Sequence, residues 1–252
     1  MTKDIIKFAV CHFVNNIKDY LYIVAPSLVF AVLLFTSIAS ATPDPVNPFA
    51  PYTTFHNFIL LLAMIFFSLL SVVNIHRFVI LGETNFYAFN TRWIPVLKYF
   101  LIALAITLLG YVPYFPGIIL MAIGMEIGSD IASGIGGLLI IPAFVMMFLI
   151  LIFLMLHLPA SAIGEKIPFF GLWKLSKGFR LTVFLQLLIA TLLTSVVAII
   201  QVLFYGGIFS YVEADMNWTI FYIEFAINFT VYVVFVTCLS RTFMLFKEKN
   251  LK

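Results

Sequence analysis

Glu224 is an acid set inside an apolar run, six residues past Trp218 and so about 9 Å below the nearer membrane edge at the helical rise. An ionised carboxyl is costly at that depth, which makes it a functional candidate by default. Asn228 follows one turn later on the same face, and Gln201 of the preceding apolar run lies at a similar depth. We read the three as a protonated acid hydrogen-bonded to amides between helices. No Lys or Arg within any apolar run offers the acid a partner, and no second acid shares its depth. The alternative is a proton or cation site in a transporter or channel subunit using this Glu224, Asn228 and Gln201 layer.

A second set of chemical residues closes the apolar runs. His76 and Arg77 stand before Glu83, His157 before Glu165, and Arg241 before Glu248, with a Gly-Glu pair in the first two. Two His and two Glu are the right types and number for zinc, yet nothing in the spacing gathers them. His at a membrane edge is commonly a headgroup contact, so neither a metal nor any other cofactor is expected. The chain has no His-Glu-x-x-His, no Gly-x-Ser-x-Gly, no phosphate-cradling glycine loop and no Cys-x-x-Cys. The expectation is a protein that is not an enzyme.

The elements that must carry these residues are membrane helices. At 63% hydrophobic and 10% charged, with mean hydropathy +1.14 and 29 Phe in 252 residues, the chain suits lipid as its solvent. Apolar runs cover residues 20 to 41, 55 to 76, 97 to 119, 138 to 160, 181 to 205 and 218 to 240, each long enough to cross about 30 Å of hydrocarbon as helix. With their connections they use nearly the whole chain, which predicts an all-α fold of one integral membrane domain, residues 1 to 252, with no separate soluble part. Tyr111-Val-Pro-Tyr-Phe-Pro-Gly117 predicts a break near the end of the third run, with residues 117 to 127 interfacial or partly re-entrant. The Gly-rich stretch from Gly124 to Gly137 contains a Gly-x-x-x-Gly but overlaps a polar loop, so we expect it to supply flexibility rather than helix packing.

All fourteen Lys and Arg lie in alternate connections or, for Lys98, at the run end that adjoins one: before the first run, between the second and third, between the fourth and fifth, and after the sixth. Set against five acids they leave that side at +9, while six acids and no cation leave the other at −6. Positive residues in short loops stay in the cytoplasm, so the pattern predicts both termini inside. A basic inner face follows from that rule alone and argues for no nucleic-acid partner. Cys11 and Cys238 both fall on this side, where a disulfide is not expected. The partners it does suggest are lipid headgroups, met by Lys7, Lys18, Arg92, Trp93, Lys98, Trp173, Lys174, Lys177 and Arg180, or a second membrane protein.

Residues 1 to 19 form an amphipathic helix for the inner interface, with Ile6, Val10, Phe13, Ile17 and Tyr20 on its apolar stripe. Residues 84 to 95 and 167 to 178 suggest two more interfacial helices. Glu83, Glu165 and Glu248 are spaced by 82 and 83, Arg92 and Lys174 follow the first two by nine, and Lys98 and Arg180 follow them by fifteen. This reads as three copies of a two-span unit, with even spacing of six spans as the simpler account.

Pro116-Gly-Ile-Ile119, Leu158-Pro-Ala-Ser-Ala-Ile-Gly164, Leu172-Trp-Lys-Leu-Ser-Lys-Gly178 and the basic Arg241-Thr-Phe-Met-Leu end carry a resemblance. In their order the chain resembles the YciC-like bacterial inner-membrane proteins, and it is similar to the membrane domain attached to some glycerophosphodiester phosphodiesterases. It departs from them in a longer, Gly-rich segment between Pro116 and Leu138. The resemblance implies an integral inner-membrane protein with no established catalytic role, acting in envelope maintenance.

Overall fold

A computed structural model describes the backbone of residues 1–39, 54–86, 89–165, 167, 176–205 and 218–250, and within these the side chains of residues 38–39, 89–92, 197–198, 200, 201–205, 218–225 and 250 are outside the description. The described chain is helical, with no strand. In order come α1 (Thr2–Asn15), α2 (Ile17–Ala39), α3 (Phe55–Leu81), α4 (Phe89–Tyr111), a 3-10 turn (Val112–Tyr114), α5 (Phe115–Glu126), α6 (Asp130–Leu154), α7 (His157–Ala162), a second 3-10 turn (Ser176–Gly178), α8 (Arg180–Tyr205) and α9 (Trp218–Asn250). Five stretches are long and apolar enough to cross a membrane: Ile17–Ser37, Phe55–Leu81, Trp93–Glu126, Asp130–Leu154 and Ala226–Lys249. Arg180–Val196 is a shorter apolar helix. The protein is therefore an all-α, multi-pass membrane protein. Its contacts gather in two units, Met1–Arg92 with Leu185–Arg241, and Trp93–Phe184 with Thr242–Lys252.

The first unit is built on an antiparallel pair, α2 and α3, fastened at three levels. Ser71 donates to the carbonyl of Ile23 at 3.0 Å, the rings of Phe30 and Phe67 stack 4.9 Å apart, and Ser37 donates to Asn57 Oδ1 at 2.6 Å. In lipid there is little hydrophobic drive between helices, so hydrogen bonds and close packing carry such a pair. Thr54 caps α3 by accepting from the amide of Asn57, and Gly82, at φ 69°, ends it in the left-handed region that favours glycine.

The helix α1 is present, and of the predicted stripe Phe13 and Tyr20 are buried, together with Ile5 and Ala9, while Ile6 is half-buried and Val10 and Ile17 are exposed. Val10, Val14, Ile17 and Leu21 are exposed. Two apolar stripes therefore share the segment: one packs on protein and one does not. The sequence shows only their sum.

In the second unit the α-helix gives way after Tyr111 to the 3-10 turn, the break that the prolines predict, and this leads directly into α5, so that Trp93–Glu126 runs 34 residues, about 51 Å of helix. That exceeds the roughly 40 to 45 Å of a bilayer with its headgroups, an excess usually met by tilt or by a kink, and Pro113 and Pro116 lie at the tightened turn. Residues 117 to 126 are helix, and Ile127 follows as the C-cap of α5.

The glycine-rich stretch packs rather than flexes. A Cβ on Gly117 would come 2.9 Å from the carbonyl oxygen of Gly136, one on Gly124 would meet the amide of Ser133 at 2.5 Å, and one on Gly136 the amide of Met121 at 2.6 Å. Lower down, Tyr114 donates to Met147 Sδ at 3.7 Å. The α5 and α6 backbones run antiparallel in contact because those positions carry no side chain. α6 spans Asp130–Leu154, earlier than the expected run of 138 to 160, and its proline, Pro142, lies within the helix.

Residues 84 to 95 do not form a separate helix. Residues 82–86 are non-helical, and Phe89 opens a helix that passes through Pro95 into the span. Of residues 167 to 178, only 167 and the 3-10 turn Ser176–Gly178 are described. Two copies of the suspected repeat do share a device: Gly82 at φ 69° and Gly164 at φ 81° each end a helix just before Glu83 and Glu165. The third has no such stop, since α9 continues through Glu248 to Asn250.

Candidate functional site

Burial concentrates where the helices carry their cations. Nine of the ten residues from Leu70 to Val79 are buried, as are all six of α7 and most of α9 from Val236 to Phe246. The polar residues caught in that packing are arranged rather than scattered.

On α9, Thr237, Ser240 and Arg241 fall at i, i+3 and i+4, one face of a helix. Each reaches a different element of the first unit. Thr237 Oγ1 pairs with the Tyr20 hydroxyl of α2 at 2.9 Å, and both side chains are fully buried. Ser240 Oγ meets His76 Nδ1 of α3 at 2.7 Å. The Arg241 guanidinium lies 4.9 Å over the Phe8 ring of α1.

The Ser240 contact resembles a nucleophile beside its base, and hydrogen counting decides against it. Ser240 Oγ also stands 2.9 Å from the carbonyl of Val236 and has one proton to give. Donation to that carbonyl leaves Ser240 Oγ an acceptor, so the assignment that satisfies both contacts puts the proton on His76 Nδ1. A base must take the proton, and this imidazole supplies one. Ser240 and His76 therefore clip α9 to α3.

The Tyr20 hydroxyl also meets His12 Nδ1 at 2.9 Å, so a polar chain runs from α1 through α2 to α9. Phe78 sits against it, its ring edge-on to His12, Tyr20 and Phe86 at 5.3, 5.5 and 5.5 Å. Partial burial holds the His12 imidazole below its ordinary 6.5 by penalising the charged form. Beyond Gly82 the chain turns back, and Glu83 accepts from Arg77 twice, from Nε at 2.9 Å and from a terminal nitrogen at 2.5 Å. Asn74 donates to the Phe86 carbonyl at 2.8 Å and ties the same segment down.

In the second unit Glu165 follows the Gly164 stop and pairs with Lys247 of α9. The Arg180 guanidinium lies 4.4 Å over the Phe153 ring, and Lys249 Nζ is 5.9 Å from the Phe179 ring. His157, at 3% exposure, is packed in α7.

The expected residues are thus sorted. His76 and His157 belong to different units, Glu83 and Glu165 each face a cation, and among the described residues no three His, Cys, Asp or Glu stand together as metal ligands would. Lys7, Lys18, Lys98 and Lys177 are exposed, and Trp93 is 58% exposed beside them in the basic stretches. Asn228 is half-buried in α9. The side chains of Glu224, Gln201 and Arg92, and the residues Trp173 and Lys174, lie outside those described. Sequence reasoning missed His12, Thr237, Ser240 and Phe153. For Thr237 and Ser240 the signal existed: two hydroxyls three residues apart in an apolar run. Comparison with protein-family models, with curated proteins and with solved structures found no match to this chain.

Proposed function

We propose that this multi-pass membrane protein is a non-catalytic component of the bacterial inner membrane, both termini in the cytoplasm, that engages anionic lipids, or docks a second membrane protein, through its basic side in envelope maintenance. The observation that carries the reading is the divided face of α1. Ile5, Ala9 and Phe13 pack on protein, while exposed Val10 and Val14 lead on to exposed Ile17 and Leu21, with Lys3, Lys7 and Lys18 exposed alongside. A helix so divided is fixed to its own core and still offers an apolar stripe to the acyl boundary and lysines to headgroups, each lysine contributing about 1 kcal/mol near an anionic surface. The use of the Ser240 proton in a helix clip favours the non-catalytic side of the reading, and the YciC-like resemblance favours the inner membrane.

The test is purification of the full chain in native lipid, followed by mass spectrometry of the lipids that stay bound. Enrichment of anionic lipid on the wild type, reduced when Lys3, Lys7 and Lys18 are all changed to Gln, is the expected result. Bound lipid that matches the bulk membrane in both proteins would remove the lipid role.

A further inference from the structure

In the second unit Val145, Leu149, Ile152 and Phe153 line one side of α6 at i, i+4, i+7 and i+8, and Leu181 and Phe184 of α8 form the facing wall. Between them runs an open, apolar groove of about 340 Å³. From Val145 to Phe153 it follows about 12 Å of helix, most of the roughly 15 Å that one leaflet contributes to the hydrocarbon core. Its mouth has a different character. Arg180, the first residue of α8, is part of the wall and is held 4.4 Å over the Phe153 ring. Lys177 is exposed in the turn just before it, and Lys249 Nζ reaches the same turn, 5.9 Å from the Phe179 ring and 3.4 Å from where a Gly178 side chain would begin. Of the nearby acids Glu165 is paired with Lys247, and Glu248 beside Lys249 leaves the three cations net positive.

An open apolar groove along most of one leaflet, with three cations at its basic end, has the complement of one molecule type: a diacyl lipid with a phosphate and a net negative headgroup. We propose that this groove holds one acyl chain of an anionic phospholipid, with the lipid phosphate received by Arg180, Lys177 and Lys249. The guanidinium gives the phosphate two parallel donors, while the lysines act as point charges. The stacking on Phe153 keeps the guanidinium at the mouth, so the ring joins the headgroup site to the acyl wall. This site rests on the lipid-engaging reading above and sharpens it, because a general basic surface requires no groove.

The two are separable. The full chain is reconstituted in nanodiscs of mixed phosphatidylglycerol and phosphatidylethanolamine, and retained lipid is counted by native mass spectrometry. On the wild type one phosphatidylglycerol per chain is expected to outlast the lipid held more weakly along α1. Arg180→Gln is expected to weaken its retention roughly tenfold, the worth of a charge-assisted contact. Leu149→Trp should do the same with every cation in place, because it fills the channel; Val145→Trp, at a more exposed position, serves if that variant does not fold. Lys7→Gln with Lys18→Gln, in the other unit, should release the more weakly held lipid of α1 and not this one. If the Trp variants retain the lipid, or if the Lys7 and Lys18 changes release it as readily as Arg180→Gln, the groove is excluded and the broader reading stands. Equal retention of both lipids excludes the groove and the broader reading together. Release of the bound lipid by millimolar inorganic phosphate would identify a free-phosphate site and also overturn the proposal.

Discussion

Ser240 has one proton and two neighbours, and that count sets what its loss should do. Ser240→Ala leaves the buried His76 Nδ1–H without its acceptor, so the chain in detergent should lose about 1 to 2 kcal/mol. An unchanged thermal midpoint would show that α9 is not clipped to α3 there. His12 makes a prediction in pH. Its imidazole is held below 6.5 in the fold, so the unfolded chain binds the proton more readily, and stability falls as pH drops through 6.5 toward the folded value. The rings of Phe8, Tyr20 and Phe78 surround it, and Arg241 over Phe8 is a cation that adds no partner for an imidazolium. Protection factors over residues 2–15, which divide out the slower intrinsic exchange at low pH, should therefore fall between pH 7.5 and 5.5, and His12→Gln should flatten the change. Protection factors that are independent of pH in the wild type would sink the idea. Neither residue was legible as important in the sequence, because a Ser in an apolar helix and a His in an amphipathic one are ordinary until their partners, 164 and eight positions away, are known.

Between elements, the α5–α6 pair shows why a glycine pattern is ambiguous. Gly117, Gly124 and Gly136 face a backbone within 3 Å of a built Cβ, whereas Gly134 and Gly137 have nothing within 4 Å. The same residue type is obligatory at three positions and idle at two. Gly136→Val should force the helices apart and cost about 1 to 3 kcal/mol or more. Gly134→Ala and Gly137→Ala should be neutral or gain about 0.5 to 1 kcal/mol from helix propensity. Thermal melts of the three variants decide this, and equal effects from all three would mean that α5 and α6 are not in contact. The sequence misleads here for a physical reason. Glu126, Ser129 and Asp130 give the stretch a polar look, but Ser129 accepts from the amide of Ala132 as the cap of α6, and the acids mark the rim of a three-residue turn.

For the molecule as a whole, the distribution of charge makes an accessibility prediction. Cys11 is exposed on α1 and Cys238 is 3% exposed in α9. If the basic side is cytoplasmic, a membrane-impermeant maleimide should label Cys11 in inside-out vesicles and not in intact cells, with Cys238 unlabelled in both until denaturant is added. Labelling of Cys11 in intact cells would reverse the orientation. The sidedness in that prediction follows from the sequence alone, and the burial of Cys238 from the structure. The chain's hydropathy and the alternation of its cations are properties of composition along one dimension, and the membrane reads them in one dimension, by length and by side; so an all-helical, multi-pass protein was determined by the sequence itself, and the labelling tests its sidedness. What packs on what is a property of faces meeting in space. Which of the two stripes of α1 is buried, which glycines touch backbone, how Gly82 folds Glu83 back onto Arg77, and that Arg180 stands over Phe153 at the mouth of an apolar groove were decided only by the tertiary structure, because in lipid every exposed apolar face looks the same to the sequence whether its neighbour is a lipid chain or another helix.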